Sequence, residues 1–208
     1  GLNLNFFIAA SLVSAIVVML FLLAALTQPI EKLAIAILPI AATMIGLEVA
    51  IPLKPQILEN SAWQMDTHIL TSIIAFSLFN IAAFQALLLA FQNHHLRRHN
   101  PNRLVLSIPS LQTMESLLFK MLGAGMIFLS IALVSGFVFI EDLFAQHLAH
   151  KTVLSILAWI VFGVLLIGRI RYGWRGQTAI RGTLIGFVAL SLAYFGSKIV
   201  LELILKRV

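Results

Sequence analysis

The feature that most restricts the fold of this chain is the spacing of its charges, which gather in clusters separated by uncharged stretches long enough to cross a bilayer. A spanning helix needs about 20 mostly apolar residues. Hydrophobic residues make up 61% of the 208 positions and charged residues only 11%, so several stretches meet that length. Lipid offers no partner for a free peptide N–H or C=O, so such a stretch must close its hydrogen bonds within itself as an α-helix. Nothing alternates with the period of a membrane strand. The sequence therefore predicts an all-α fold: a polytopic integral membrane helical bundle in one domain, with about six spans near 5–27, 30–51, 68–92, 114–140, 151–170 and 183–205. Gln28-Pro29 supplies the turn between the first two, because Pro cannot continue a helix but suits the start of the next.

Charge sets the expected orientation. The connection 93–113 carries Arg97, Arg98 and Arg103, and the connection 169–182 carries Arg169, Arg171, Arg175 and Arg181. The positive-inside rule places both on the cytoplasmic side and leaves the Lys54 to Thr67 and Glu141 to Ala149 connections outside. The net charge of +6 resides largely in those two arginine-rich connections. Topology and contact with anionic membrane lipid account for it, with no need of nucleic acid. Gly1 is not an initiator methionine and the first positive charge is Lys32, so the first span lacks a signal-peptide n-region; the chain reads as a fragment from which N-terminal spans are missing. There is no cysteine, which excludes disulfide exchange, thiolate metal sites and C-x-x-C-H haem attachment within the chain. There is no G-x-S-x-G, phosphate-binding glycine loop or H-E-x-x-H, so no residue argues for an enzyme.

Histidine carries the chemistry that remains, because a neutral imidazole is a metal and haem-iron ligand. His94, His95 and His99 lie in HHLRRH on the expected cytoplasmic side and read as a solvated basic cluster. His68, His147 and His150 fall at the outer ends of spans three and five. There they either flank helix ends at the interface or converge on one external pocket, with His147 and His150 spaced i, i+3 to share a helix face. Glu48 lies at similar depth in span two, where an ionisable side chain is a site hypothesis. Asn80 and Gln85 in span three are expected to make interhelical hydrogen bonds, and Lys198 and Glu202 form an i, i+4 pair. Ala42-x-x-x-Gly46 and Gly182-x-x-x-Gly186 offer small-residue faces for close helix packing, and Gly123-Ala-Gly125 reads as a packing notch.

HKTVLSILAW, GRIRYGWRGQTAIRG and LAYFGSK, in that order, resemble the C-terminal part of the cytochrome c assembly family, whose members include CcsA, CcmC and CcmF. The shorter inner-membrane YpjD-like branch resembles them most. Upstream, IPSLQTMESLLFKMLGAGMIFLSIALVSG and the histidine-led MDTHILTSIIAFSLF extend the likeness over roughly 66–205; spans one and two carry no motif of the family. The resemblance implies a bacterial inner-membrane bundle that holds haem at the outer face and presents it to apocytochrome c, and it puts His68 on an external axial haem ligand. Trp159 falls on a family tryptophan. The tryptophan-rich haem platform is replaced by FAQHLAHKT, the second external histidine falls near Leu205, and the membrane histidine falls near Ile167.

From the residues themselves, His150 or His147 is the candidate to stand in as second iron ligand. The expected function is binding or relay of haem, or assistance to a cytochrome c maturation complex. The competing expectations are a metal-ion or small-molecule transporter or its accessory, for which Pro39 inside span two is the one broken-helix signal, and a structural subunit of a membrane complex.

Overall fold

The computed structural model of the chain describes residues 6–26, 34–50, 63–97, 109–139 and 149–198. They form six helices: α1 (Phe6–Ala25), α2 (Ala34–Ala50), α3 (Trp63–Arg97), α4 (Leu111–Phe139), α5 (Ala149–Tyr172) and α6 (Gln177–Lys198). Each expected span overlaps one of them, and no strand occurs among the described residues. Three helical stretches, Thr67–Leu96, Leu111–Val138 and Lys151–Tyr172, are by themselves long and apolar enough to cross a membrane. Their outward faces carry Ile127, Val134, Val138, Ile160, Val164 and Ile167, all exposed. Apolar side chains on the outside of a bundle are what lipid, not water, solvates.

The central helix is α3, whose 35 residues extend about 50 Å at 1.5 Å per residue. It packs along α4 and also meets α1 and α6. Ala75, Ala82, Ala83 and Ala86 on its buried side let neighbouring backbones come close. Between these alanines Phe76 stacks on Phe187 and Tyr194 of α6 at centroid distances of 5.8 and 4.9 Å, and Phe79 stacks on Phe162 of α5 at 4.0 Å.

Local chemistry sets the helix ends. Ser110 caps α4, its Oγ accepting the Thr113 N–H at 3.3 Å, which satisfies one of the free first-turn donors. Gln92 Nε2 donates to the Pro109 carbonyl at 3.1 Å, tying the end of α3 to the start of α4. Helix α5 stops at Gly173, which adopts φ 62° and donates its N–H to the Arg169 carbonyl. That left-handed cap is open to glycine with little strain. Trp174 then folds back on Gly168, where a Cβ would collide with the indole, and α6 begins at Gln177.

Three expectations change here. The arginine connection is only the turn from Gly173 to Gly176; Arg169 and Arg171 lie inside α5 and Arg181 inside α6, because a good glycine cap lets both helices run to the turn. Gly182-x-x-x-Gly186 does pack as a small-residue face, with added Cβ atoms meeting Leu165 at 2.9 Å and Phe162 at 2.5 Å. Ala42-x-x-x-Gly46 does not among the described residues: both residues are exposed and a Cβ added at Gly46 would meet none of them within 4 Å. Gly125 of the predicted notch receives the Phe79 ring, which would stand 3.0 Å from a Cβ added there. Helix α2 runs through Pro39 without interruption, which removes the broken-helix signal.

Candidate functional site

Helices α3 and α4 run antiparallel, so the N-terminal end of α3 lies beside the C-terminal end of α4. His68 bridges them. Its Nδ1 is 2.9 Å from the Ala132 carbonyl oxygen and 3.0 Å from Ser135 Oγ. A carbonyl only accepts, so the proton of the neutral imidazole sits on Nδ1. Ser135 Oγ directs its own proton to the same carbonyl at 2.9 Å, leaving a lone pair toward the histidine. The consequence is a fixed tautomer whose Nε2 keeps its lone pair, the arrangement in which a histidine ligates a metal while its other ring nitrogen is held by a carbonyl. Gly136 makes room for it: a Cβ there would stand 3.2 Å from His68 Cε1 and 3.6 Å from Nδ1.

His68 lines a half-open cavity of about 280 Å³, near the lower end of the roughly 300–1,000 Å³ common for small-molecule sites. Its walls come from α3, α4, α5 and α6, mostly apolar side chains such as Phe76, Leu129, Leu133 and Leu190, with Ser72, Ser155 and Tyr194 as polar interruptions. Lys151, in the first turn of α5, also lines it. A flat apolar ring with one metal-binding position suits this donor set and these walls. Among the described residues no three His, Cys, Asp or Glu side chains gather as a metal cluster.

The remaining predicted residues divide plainly. His150 lies in the first turn of α5, at the same end of the bundle as His68 and one residue before Lys151; its side chain and all of His147 lie outside the described residues, as do the Glu48 side chain, His99, Glu202 and the Lys198 side chain. Trp159 does not line the cavity: its Nε1 donates to Ser130 Oγ at 2.9 Å and clasps α5 to α4. His94 and His95 stand near the far end of α3, about 40 Å from His68 at 1.5 Å per residue, and share no site with it. Asn80 borders a second, smaller cavity between α1, α2 and α3. Gln85 departs from expectation, being buried with neither amide atom paired to a protein group. Sequence reasoning missed Lys151, Ser135 and Gly136; the small residues Ser135 and Gly136 one α-helical turn after Ala132 were the available signal, but only in a register that depends on the fold.

At the opposite end of the bundle Arg169 Nη1 meets Glu115 Oε1 at 2.8 Å, donates to the Trp174 carbonyl at 3.2 Å, and places its guanidinium 4.9 Å from the Phe119 ring centroid. This ion pair ties the C-terminal end of α5 to the N-terminal end of α4.

Comparison with known proteins bears on what a histidine-lined membrane cavity is for. A family model described as cytochrome C assembly protein matches residues 1–205. The chain belongs to the cytochrome c assembly protein family. The match includes α1 and α2, where no family motif was legible. Within the family, the chain is 37% identical over 142 residues to the inner membrane protein YpjD of Escherichia coli strain K12, covering 67% of this chain and 53% of that protein. A 28.8 kDa protein of Azospirillum brasilense is 33% identical over 143 residues, 68% of this chain and 53% of its own length. The cytochrome c biogenesis protein CcsA of Chlamydomonas reinhardtii is 25% identical over 158 residues, 75% of this chain and 43% of that protein. The chain thus spans about half the length of the curated relatives it matches. No solved structure matches it.

Proposed function

We propose that this membrane protein holds haem in the His68 cavity and serves cytochrome c assembly by keeping or relaying it. His68 Nε2 takes the iron, and His150 or His147, at or before the start of α5, supplies the candidate second ligand. When bound, haem would supply an iron centre that takes nitrogen ligands, and the apolar side chains lining the cavity would hold the macrocycle. In this reading the cavity faces the outer side of a bacterial inner membrane, the arginine-bearing turn faces the cytoplasm, and the partner is an apocytochrome c or a maturation complex at the outer face. The observation that supports the reading is the hydrogen bond of His68 Nδ1 to Ala132 O, which leaves Nε2 its lone pair on a residue that lines the cavity in a chain of this family.

The test is the visible absorption spectrum of the detergent-purified protein expressed with ample haem. A Soret band is expected in the wild type and should vanish in His68→Ala. A band that survives unchanged in that variant refutes the ligand assignment. A wild type with no band after added haem refutes haem binding and turns the choice toward a structural subunit.

A further inference from the structure

The same cavity contains a feature that a haem-iron ligand does not explain. Lys151 lines it and is half-buried, and no hydrogen bond or ion pair engages its ammonium among the described residues. The other end of α5 differs, because Arg169 has Glu115 while the other described residues lining the cavity beside Lys151 are apolar side chains, hydroxyls and His68, with no carboxylate among them. A cation drawn out of water at a membrane boundary is costly unless an anion meets it. Lysine can lower that cost by extending its ammonium to water, yet here the side chain lies along a cavity.

We propose that Lys151 receives a carboxylate of the molecule whose metal His68 holds, so that the cavity selects a metalloporphyrin by its acidic edge as well as by its iron. This rests on the haem reading above. Iron porphyrins of the haem type carry paired propionates on one edge of an otherwise apolar disc. The cavity offers the matching set of groups: a histidine ring from α3, a mostly apolar lining, and an ammonium from α5. One charge-assisted contact of that kind contributes about tenfold or more in affinity.

The experiment compares haem with its dimethyl ester, in which both carboxylates are blocked, by titrating each into the full-length purified chain and following the Soret band. Wild type should bind haem at least about tenfold more tightly than the ester. Lys151→Met should bind both with the ester's affinity, and Lys151→Arg should restore the preference. The position of the Soret maximum should be the same in Lys151→Met as in wild type, since the iron ligand is untouched. Equal affinity of wild type for haem and ester overturns the inference while leaving His68 as ligand, and so does a preference for haem that survives in Lys151→Met. Failure of both pigments to bind the wild type overturns the inference together with the reading beneath it.

Discussion

Gly186→Ala adds one methyl group, and the structure allows its cost to be worked out. A Cβ at Gly186 would stand 2.5, 2.7 and 2.9 Å from Cε1, Cζ and Cδ1 of Phe162, whereas carbons rest at about 3.5–4.0 Å. The ring would have to move by about 1 Å. It has nowhere to go, because Phe162 is fully buried and stacks on Phe79 at 4.0 Å with an interplanar angle of 5°. Phe79 in turn lies where a Cβ on Gly125 would be 3.0 Å away, so two glycines hold a two-ring stack between them. Overpacking of this kind costs about 1–3 kcal/mol. Gly46→Ala is the matched control: among the described residues nothing lies within 4 Å of the added Cβ, and the helix gains up to about 1 kcal/mol from alanine's propensity. The propensity gain is common to both helical sites and cancels, so the two variants should differ by about 1–3 kcal/mol, measured by unfolding in mixed detergent micelles with increasing dodecyl sulfate and followed by circular dichroism. Phe162→Leu, costly alone, should cost at least about 1 kcal/mol less in the Gly186→Ala background. Equal stabilities for the two alanine variants, or no coupling between Gly186 and Phe162, would show that the stack is not the constraint inferred here.

Glu115→Gln should lower stability by about 1–3 kcal/mol, because it leaves the largely enclosed Arg169 guanidinium without its anion; the same unfolding assay with Arg169→Gln as second variant should show the two losses to be far from additive. Gly173→Ala should cost about 1–2 kcal/mol from the left-handed backbone at φ 62°, while Gly173→Asn should cost less, as asparagine tolerates that conformation. Identical losses for alanine and asparagine would mean the turn does not depend on the cap.

The parts of this fold that sequence reveals are those governed by local chemistry. Apolar length places each helix, the GWRG segment marks the turn after α5 because a left-handed cap needs glycine, and Gly182 with Gly186 announces a close approach that α5 in fact makes. Ala42 and Gly46 show the same spacing and pack against nothing among the described residues, since small-residue spacing says that a helix can be approached but not that one is there. His68 was legible as a candidate ligand because a histidine at the end of an apolar run is chemically conspicuous. Its support was not legible: Ala132 and Ser135 lie 64 and 67 residues away, and only the pairing of α3 with α4 brings them to one ring. Lys151 was concealed for a related reason. A lysine beside a span end reads as a flanking charge until the cavity it borders is seen.

The His68 cavity takes its walls from two helical hairpins: His68 and Gly136 belong to the α3–α4 pair, and Lys151 and Tyr194 to the α5–α6 pair. The second pair is closed by a turn of four residues, Gly173 to Gly176, and such a short loop makes its assembly local and fast. That hairpin can therefore form before the other arrives, yet neither pair holds a site alone. The cavity is a seam, and it exists only once the two halves have docked. A ligand bound across it acts as an adhesive, favouring the docked state by about 2.7 kcal/mol at a hundredfold excess over its Kd, so that loading the protein and completing its fold become one equilibrium.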